Sequence, residues 1–316
     1  MFADFAGMLA TAKPDVVVVA TPPKHHVAAC LEALAAGAHV ICEKPLATTI
    51  AEGRRVLEAA QRTGRRVAMN YEFREMGIAG ALRARVGAPD VGPLHFAHVW
   101  QSMDLPPWKE PGWRGQLSRG VLFEAGIHLV DYALALFRER PRSVWATMST
   151  CGVREEKTDS VALVTLEFAN GRLAQVTQNR LSPGDTRYFE VSAECAQATL
   201  RASFGGRARV SVGMVRSTRP HLRVEYGPSG LAWEERGADR RVFAKNPREA
   251  GMDATRRLLE KTLSAFANGT EAPASGEVGL MGLEVLAACY HSADIGARMP
   301  LEPSVLAGLA EHPIGT

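Results

Sequence analysis

Ala38-His39-Val40-Ile41-Cys42-Glu43-Lys44-Pro45 is a short apolar run that ends on a carboxylate, an ammonium and a proline. The run predicts a strand, and the proline predicts its end, because proline cannot donate to a sheet ladder. Upstream, Asp15-Val16-Val17-Val18-Val19-Ala20 is a continuous β-branched run, the pattern of a parallel strand covered on both faces, and Thr21-Pro22-Pro23 stops it. A helix between the two runs extends to about Ala36, with Gly37 just past its end. Downstream, Thr49 and Glu52 form a capping box that opens a helix to about Arg62, and residues 66–70 read as a third strand. Strands alternating with helices predict right-handed βαβ units in a parallel sheet.

After Gly92-Pro93 the rhythm changes. Residues 94–101, 143–149, 159–168, 172–180, 188–194, 198–203 and 209–215 all read as strands, and Asn170-Gly171 joins two of them as a two-residue hairpin turn. Helical patterns interrupt at 123–137, about 248–267 and 277–298. The expected fold class is therefore α/β plus α+β. Residues 1–92 would form a partial parallel-sheet domain, and residues 93–316 a largely antiparallel open-faced sheet domain with C-terminal helices.

At 316 residues the chain can bury two cores. A net charge of +3 is too small to argue for nucleic acid or an anionic membrane, so neither is an expected partner. The five cysteines are odd in number and contain no C-x-x-C pair, which argues against a disulfide framework or structural zinc and for the cytoplasm. The histidines show no metal-ligand spacing, and no metal is expected. No apolar run reaches the roughly 18 residues of a membrane span.

A second constellation follows some eighty residues after Lys44: Gly120-x-x-x-Glu124-x-x-x-His128-x-x-Asp131. Together with Ala20-Thr21-Pro22-Pro23, Glu43-Lys44-Pro45, Asn70-Tyr71, Ser275-Gly276-Glu277-x-Gly279 and Ala288-Cys289-Tyr290-His291-Ser292, it resembles the glucose–fructose oxidoreductase / inositol dehydrogenase (Gfo/Idh/MocA) family. The pieces stand in family order over nearly the whole chain. The resemblance implies a Rossmann domain joined to an open-faced sheet domain, and hydride transfer between NAD or NADP and a sugar, cyclitol or related polyol. It assigns the catalytic roles to Lys44, His128 and Glu124, where the family normally has Asp in place of Glu124. Cofactor contacts fall on Thr21, Pro22, Pro23, Glu43, Lys44 and Asn70; substrate contacts fall on Lys44, Trp113, Arg114, Glu124 and His128, with Tyr71 and Arg74 as further candidates. It also implies a homodimer or homotetramer, since an apolar sheet face needs cover.

The chemistry suits these residues. Ligands of open α/β sheets gather beyond the carboxyl ends of strands, where both Pro22 and Lys44 fall. Oxidising a carbinol requires a base for its hydroxyl proton, and an imidazole titrates near working pH. Lys44 would stabilise developing alkoxide charge. Spacings of i, i+4 and i+7 would put Glu124, His128 and Asp131 on one helix face, so Lys44 and His128 are expected to converge on one substrate oxygen. Each residue also has a plainer reading: a surface lysine, a core histidine, or a glutamate favoured by a helix dipole.

The family's glycine loop, G-x-G-x-x-G, does not occur in the sequence. With it go the usual pyrophosphate site and the residue that selects NAD or NADP. Val16–Val19 would then lack its usual neighbours and become an exposed apolar edge open to aggregation or pairing. Two expectations compete: an upstream segment completes the domain, or the short chain is a non-catalytic sugar-binding or assembly module. NAD-assisted glycoside cleavage would use the same base as the first. In-frame codons for a strand and a glycine loop immediately upstream would establish the first expectation; a stop codon there would remove it.

Overall fold

Val16–Val19 (β1), His39–Cys42 (β2) and Val67–Met69 (β3) pair in parallel in the order β1-β2-β3. This is a computed structural model that describes residues 2, 4–104, 112–152, 159–183, 188–204, 209–214, 220–225, 230–246 and 250–315. Helices His26–Ala35 (α2) and Ile50–Thr63 (α3) make the crossovers, preceded by Phe5–Ala12 (α1), which the apolar pattern had not suggested. The capping box forms: Glu52 N donates to Thr49 Oγ1 at 3.1 Å, and Thr49 N donates to Glu52 Oε2 at 3.2 Å. β1 is covered on one face only. Val17 and Val19 are buried, whereas Val18 is 60% exposed because β1 stands at the sheet edge.

After helix Gly77–Arg85 (α4), the described residues build a second sheet of nine strands, ordered β13-β12-β9-β8-β4-β7-β6-β5-β14. These are Leu94–Ser102 (β4), Ser143–Ser149 (β5), Val161–Glu167 (β6), Leu173–Asn179 (β7), Tyr188–Cys195 (β8), Thr199–Phe204 (β9), Leu231–Arg236 (β12), Asp239–Lys245 (β13) and Met299–Pro300 (β14). Arg209–Met214 (β10) and Pro220–Glu225 (β11) pair separately. All neighbours in the large sheet are antiparallel except β4 and β7. Between β6 and β7, Asn170 and Gly171 both take positive φ, 58° and 72°, as the tight hairpin requires. β12 and β13 escaped the sequence reading because charges dominate them: Glu234, Glu235 and Arg236 face Arg241, Arg240 and Asp239 across an edge hairpin.

The helix expected over 123–137 is two structures. Val121–Gly126 is a π turn, and only Ile127–Phe137 (α5) is an α-helix. The wider turn is held from outside. The hydroxyl of Tyr290, on helix Gly276–Ile295 (α7), accepts from Leu122 N at 3.2 Å and Phe123 N at 3.1 Å while donating to Arg119 O. Asp159 Oδ1 accepts from Val121 N at 2.8 Å. At Gly126 a Cβ would stand 2.6 Å from Leu122 Cδ2 and 3.1 Å from Val121 O, so a side chain there would force Leu122 to shift.

The two sheets interlock through the C-terminal helices, Ala250–Asn268 (α6), α7 and Pro303–Gly308 (α8). Met69 N donates to Ala274 O at 2.8 Å, which brings the start of α7 against β3. Ile314 N donates to Thr48 O at 2.8 Å, and Gly315 lies so close to Phe123 that an added Cβ would be 2.5 Å from its ring. Among the described residues no helix is long and apolar enough to cross a membrane.

A buried ion pair fixes α5. Arg74 Nε and Nη2 donate to the two Asp131 oxygens at 2.8 and 2.7 Å, and its Nη1 donates to Pro273 O at 2.6 Å. Burial opposes the guanidinium charge, but the Asp131 carboxylate outweighs it and raises the Arg74 pKa. Arg74→Met leaves Asp131 buried and uncompensated, and should cost about 3–5 kcal/mol in denaturant unfolding; a loss below about 1 kcal/mol would contradict this reading. Asp159 gives a pH signature. Burial pushes its carboxyl up from 3.8 to about 6, against the pull of the Val121 N–H and Arg180. The folded state therefore holds the proton more tightly than the unfolded one, and stability should fall as pH rises from about 4 to about 6. Asp159→Asn keeps an acceptor for Val121 and should flatten that stretch of a pH series of urea midpoints.

Candidate active site

Thr21-Pro22-Pro23 follows β1 and Glu43-Lys44-Pro45 follows β2, so both loops leave the carboxyl end of the parallel sheet. Between them lies a cavity of about 360 Å³ lined by Ala20, Thr21, Pro22, Pro23, Glu43, Lys44, Pro45, Trp113, Arg114 and Glu124. A larger hollow of about 790 Å³ opens at the amino end of β3. Two of the three arginines that line it are committed to the fold: Arg66 donates to Gly269 O and Thr270 O, and Arg54 pairs with Glu284. The chemistry-bearing set is in the smaller cavity.

Lys44 and Glu124 are its centre. Lys44 Nζ donates to the Glu124 backbone oxygen and lies 3.2 Å from Glu124 Oε1. Arg114 Nε donates to the same Oε1 at 3.3 Å, and its guanidinium lies 4.6 Å from the Trp113 ring centroid. Burial pushes the Glu124 carboxyl up, but Lys44, Arg180 and Arg114 outweigh it and hold the group below the usual carboxylate range. Glu124 is thus an ionised acceptor that keeps a lysine ammonium at a fixed point on the cavity wall. Asn70 stands behind: its Nδ2 donates to Glu43 Oε1 at 2.6 Å, while Glu43 Oε2 accepts from Lys44 N at 3.3 Å.

The structure corrects the expected common face of Glu124, His128 and Asp131. Glu124 sits in the π turn and the other two on α5, so the α-helical spacing does not run through all three. His128 is outside the lining of the Lys44 cavity. Its ring is 6% exposed and stacks on Phe73 at 4.7 Å, and its Nδ1 lies 3.6 Å from Glu72 Oε2. Asp131 belongs to the ion pair with Arg74, which removes Arg74 from the cavity candidates. Tyr71 is fully buried beside Gly282 and leaves the list for the same reason.

Sequence reasoning missed three residues. Tyr290 and Asp159 pin the π turn, and His26 bridges the two loops: its Nδ1 lies 2.7 Å from Pro45 O and its Nε2 2.7 Å from Thr21 O. Tyr290 lay inside a quoted motif, yet a contact made across 168 residues has no local signal.

The cavity suits the nicotinamide end of a dinucleotide. It lies where α/β sheets gather such ligands and has the volume of a small-molecule pocket. Thr21, Pro22, Pro23, Glu43 and Lys44 would hold that end.

Comparison with known proteins agrees. A family pattern described as an oxidoreductase family with an NAD-binding Rossmann fold matches residues 1–71, and one for the Gfo/Idh/MocA C-terminal domain matches residues 80–201. The 1,5-anhydro-D-fructose reductase of Ensifer adhaerens is 29% identical over 164 residues, 51% of this chain and 49% of that protein, so the chain spans about half its length. The D-apiose dehydrogenase of Paraburkholderia graminis is 26% identical over 311 residues, 96% of this chain and 77% of that protein. The fold matches that of an Agrobacterium radiobacter oxidoreductase solved with NAD+, L-tartaric acid and magnesium, with a TM-score of 0.74 and 18% identity over 94% of this chain and 83% of the other. The protein is a member of the Gfo/Idh/MocA family of oxidoreductases, with an NAD-binding Rossmann-type domain followed by that family's C-terminal domain.

Proposed function

We propose that this chain interconverts a hydroxyl and a carbonyl on a sugar, cyclitol or related polyol, with NAD or NADP as the hydride partner. The observation that carries the proposal is the Lys44–Glu124 pair on the wall of a cavity between two strand-end loops. The nicotinamide, when bound, takes or gives the hydride. Lys44 donates a hydrogen bond to the reacting oxygen and offsets negative charge growing there. Glu124 keeps the ammonium aimed, and Arg114 stacked on Trp113 presents donors and a flat apolar face to the substrate hydroxyls. His128, which lies beside Glu72 and outside the cavity lining, has the acid–base role that the resemblance implies.

Two further parts of the proposal concern assembly and place. Trp145, Leu163, Leu173 and Phe96 are exposed on one face of the nine-stranded sheet, and burying that face would make a homodimer or homotetramer. The five thiols are free, which suits a reducing cytoplasm.

A screen of sugars and cyclitols with NAD+ or NADP+, read by nicotinamide absorbance, should find turnover. Calorimetric titration of each cofactor into the 316-residue chain reports binding apart from chemistry. A chain that binds sugars yet gains nothing from either cofactor would replace this reading with a non-catalytic module. Lys44→Ala should lower kcat at least ~100-fold. His128→Ala should do the same; near-normal turnover would confine the proton chemistry to Lys44 and Glu124. Trp145→Arg should lower the mass seen by light scattering from oligomer to monomer.

A further inference from the structure

His26, the first residue of α2, is 1% exposed, and both of its ring nitrogens face backbone carbonyl oxygens. Nδ1 is 2.7 Å from Pro45 O and Nε2 is 2.7 Å from Thr21 O. A carbonyl oxygen only accepts, so each contact is a hydrogen bond when the nitrogen facing it carries a hydrogen. A neutral ring therefore ties one loop at a time, and a doubly protonated ring ties both. The two acceptors are not arbitrary. Pro45 directly follows Lys44, Thr21 directly precedes Pro22, and all four line the same cavity.

We propose that His26 is a positioning residue that clasps the two loops together and so sets the separation between the Pro22-Pro23 wall and Lys44. The inference rests on reading this cavity as the reaction site. The imidazole reaches neither substrate nor cofactor; it acts through two carbonyls. Its leverage comes from geometry, because displacing a reacting group by about 1 Å can cost on the order of 100-fold in rate.

Hydrogen exchange on the full chain tests this without turnover. In His26→Phe, which keeps a ring and removes both ring nitrogens, amides of residues 20–25 and of residues 43–47 should exchange at least ~10-fold faster, with α3 and the nine-stranded sheet unchanged. His26→Gln, whose amide group donates, should restore part of the protection. Faster exchange everywhere, in one loop only, or in neither overturns the clasp. The wild type gives a check that needs no variant: a ring N–H of His26 should be protected from exchange, and one that exchanges as fast as those of exposed His95 also overturns it. If both loops loosen as stated and no sugar is turned over, the clasp stands and the functional reading falls. If the loops stay closed and turnover continues, only the clasp is lost.

Discussion

The contact between Lys44 and Glu124 joins parts of the chain 80 residues apart and fixes one wall of the cavity between the two strand-end loops. Both side chains are largely removed from water, so separating them would leave two charges poorly solvated. Lysine meets both the carboxylate and the backbone oxygen of Glu124, and that pairing depends on how the π turn presents the residue. A turn of this kind is rare and recurs at functional sites. Here its cause is identifiable: a tyrosine hydroxyl under two amides, and a carboxylate at its first N–H.

Rigid supports lie on every side of that contact. Arg74 locks Asp131 and with it the pitch of α5 behind the π turn. Asn70 holds Glu43, the residue before Lys44. His128 stacks on Phe73, outside the lining of the cavity.

What the sequence made legible was local. The valine run, the Thr49–Glu52 box and the Asn170-Gly171 turn each express their structure within a few residues, and each appears where periodicity and turn chemistry placed it. Glu43, Lys44, Trp113, Arg114 and Glu124, all named through the resemblance, line one cavity, whereas His128 does not. The misses are tertiary. An α-helical ruler laid over 123–137 failed because external hydrogen bonds widened its first turn. Charged β12 and β13 looked like loops because an edge hairpin satisfies its polar side chains in water and with one another. His26 read as an unremarkable helix start because its two acceptors belong to loops that only folding brings within reach.

The seating of Ile314 and Gly315 carries a practical consequence. Gly315 backs onto the Phe123 ring, immediately before Glu124 in the chain, while Ile314 is tied to Thr48. A bulkier residue at 315 would press on the Phe123 ring, and so on the widened turn that presents the next residue, Glu124.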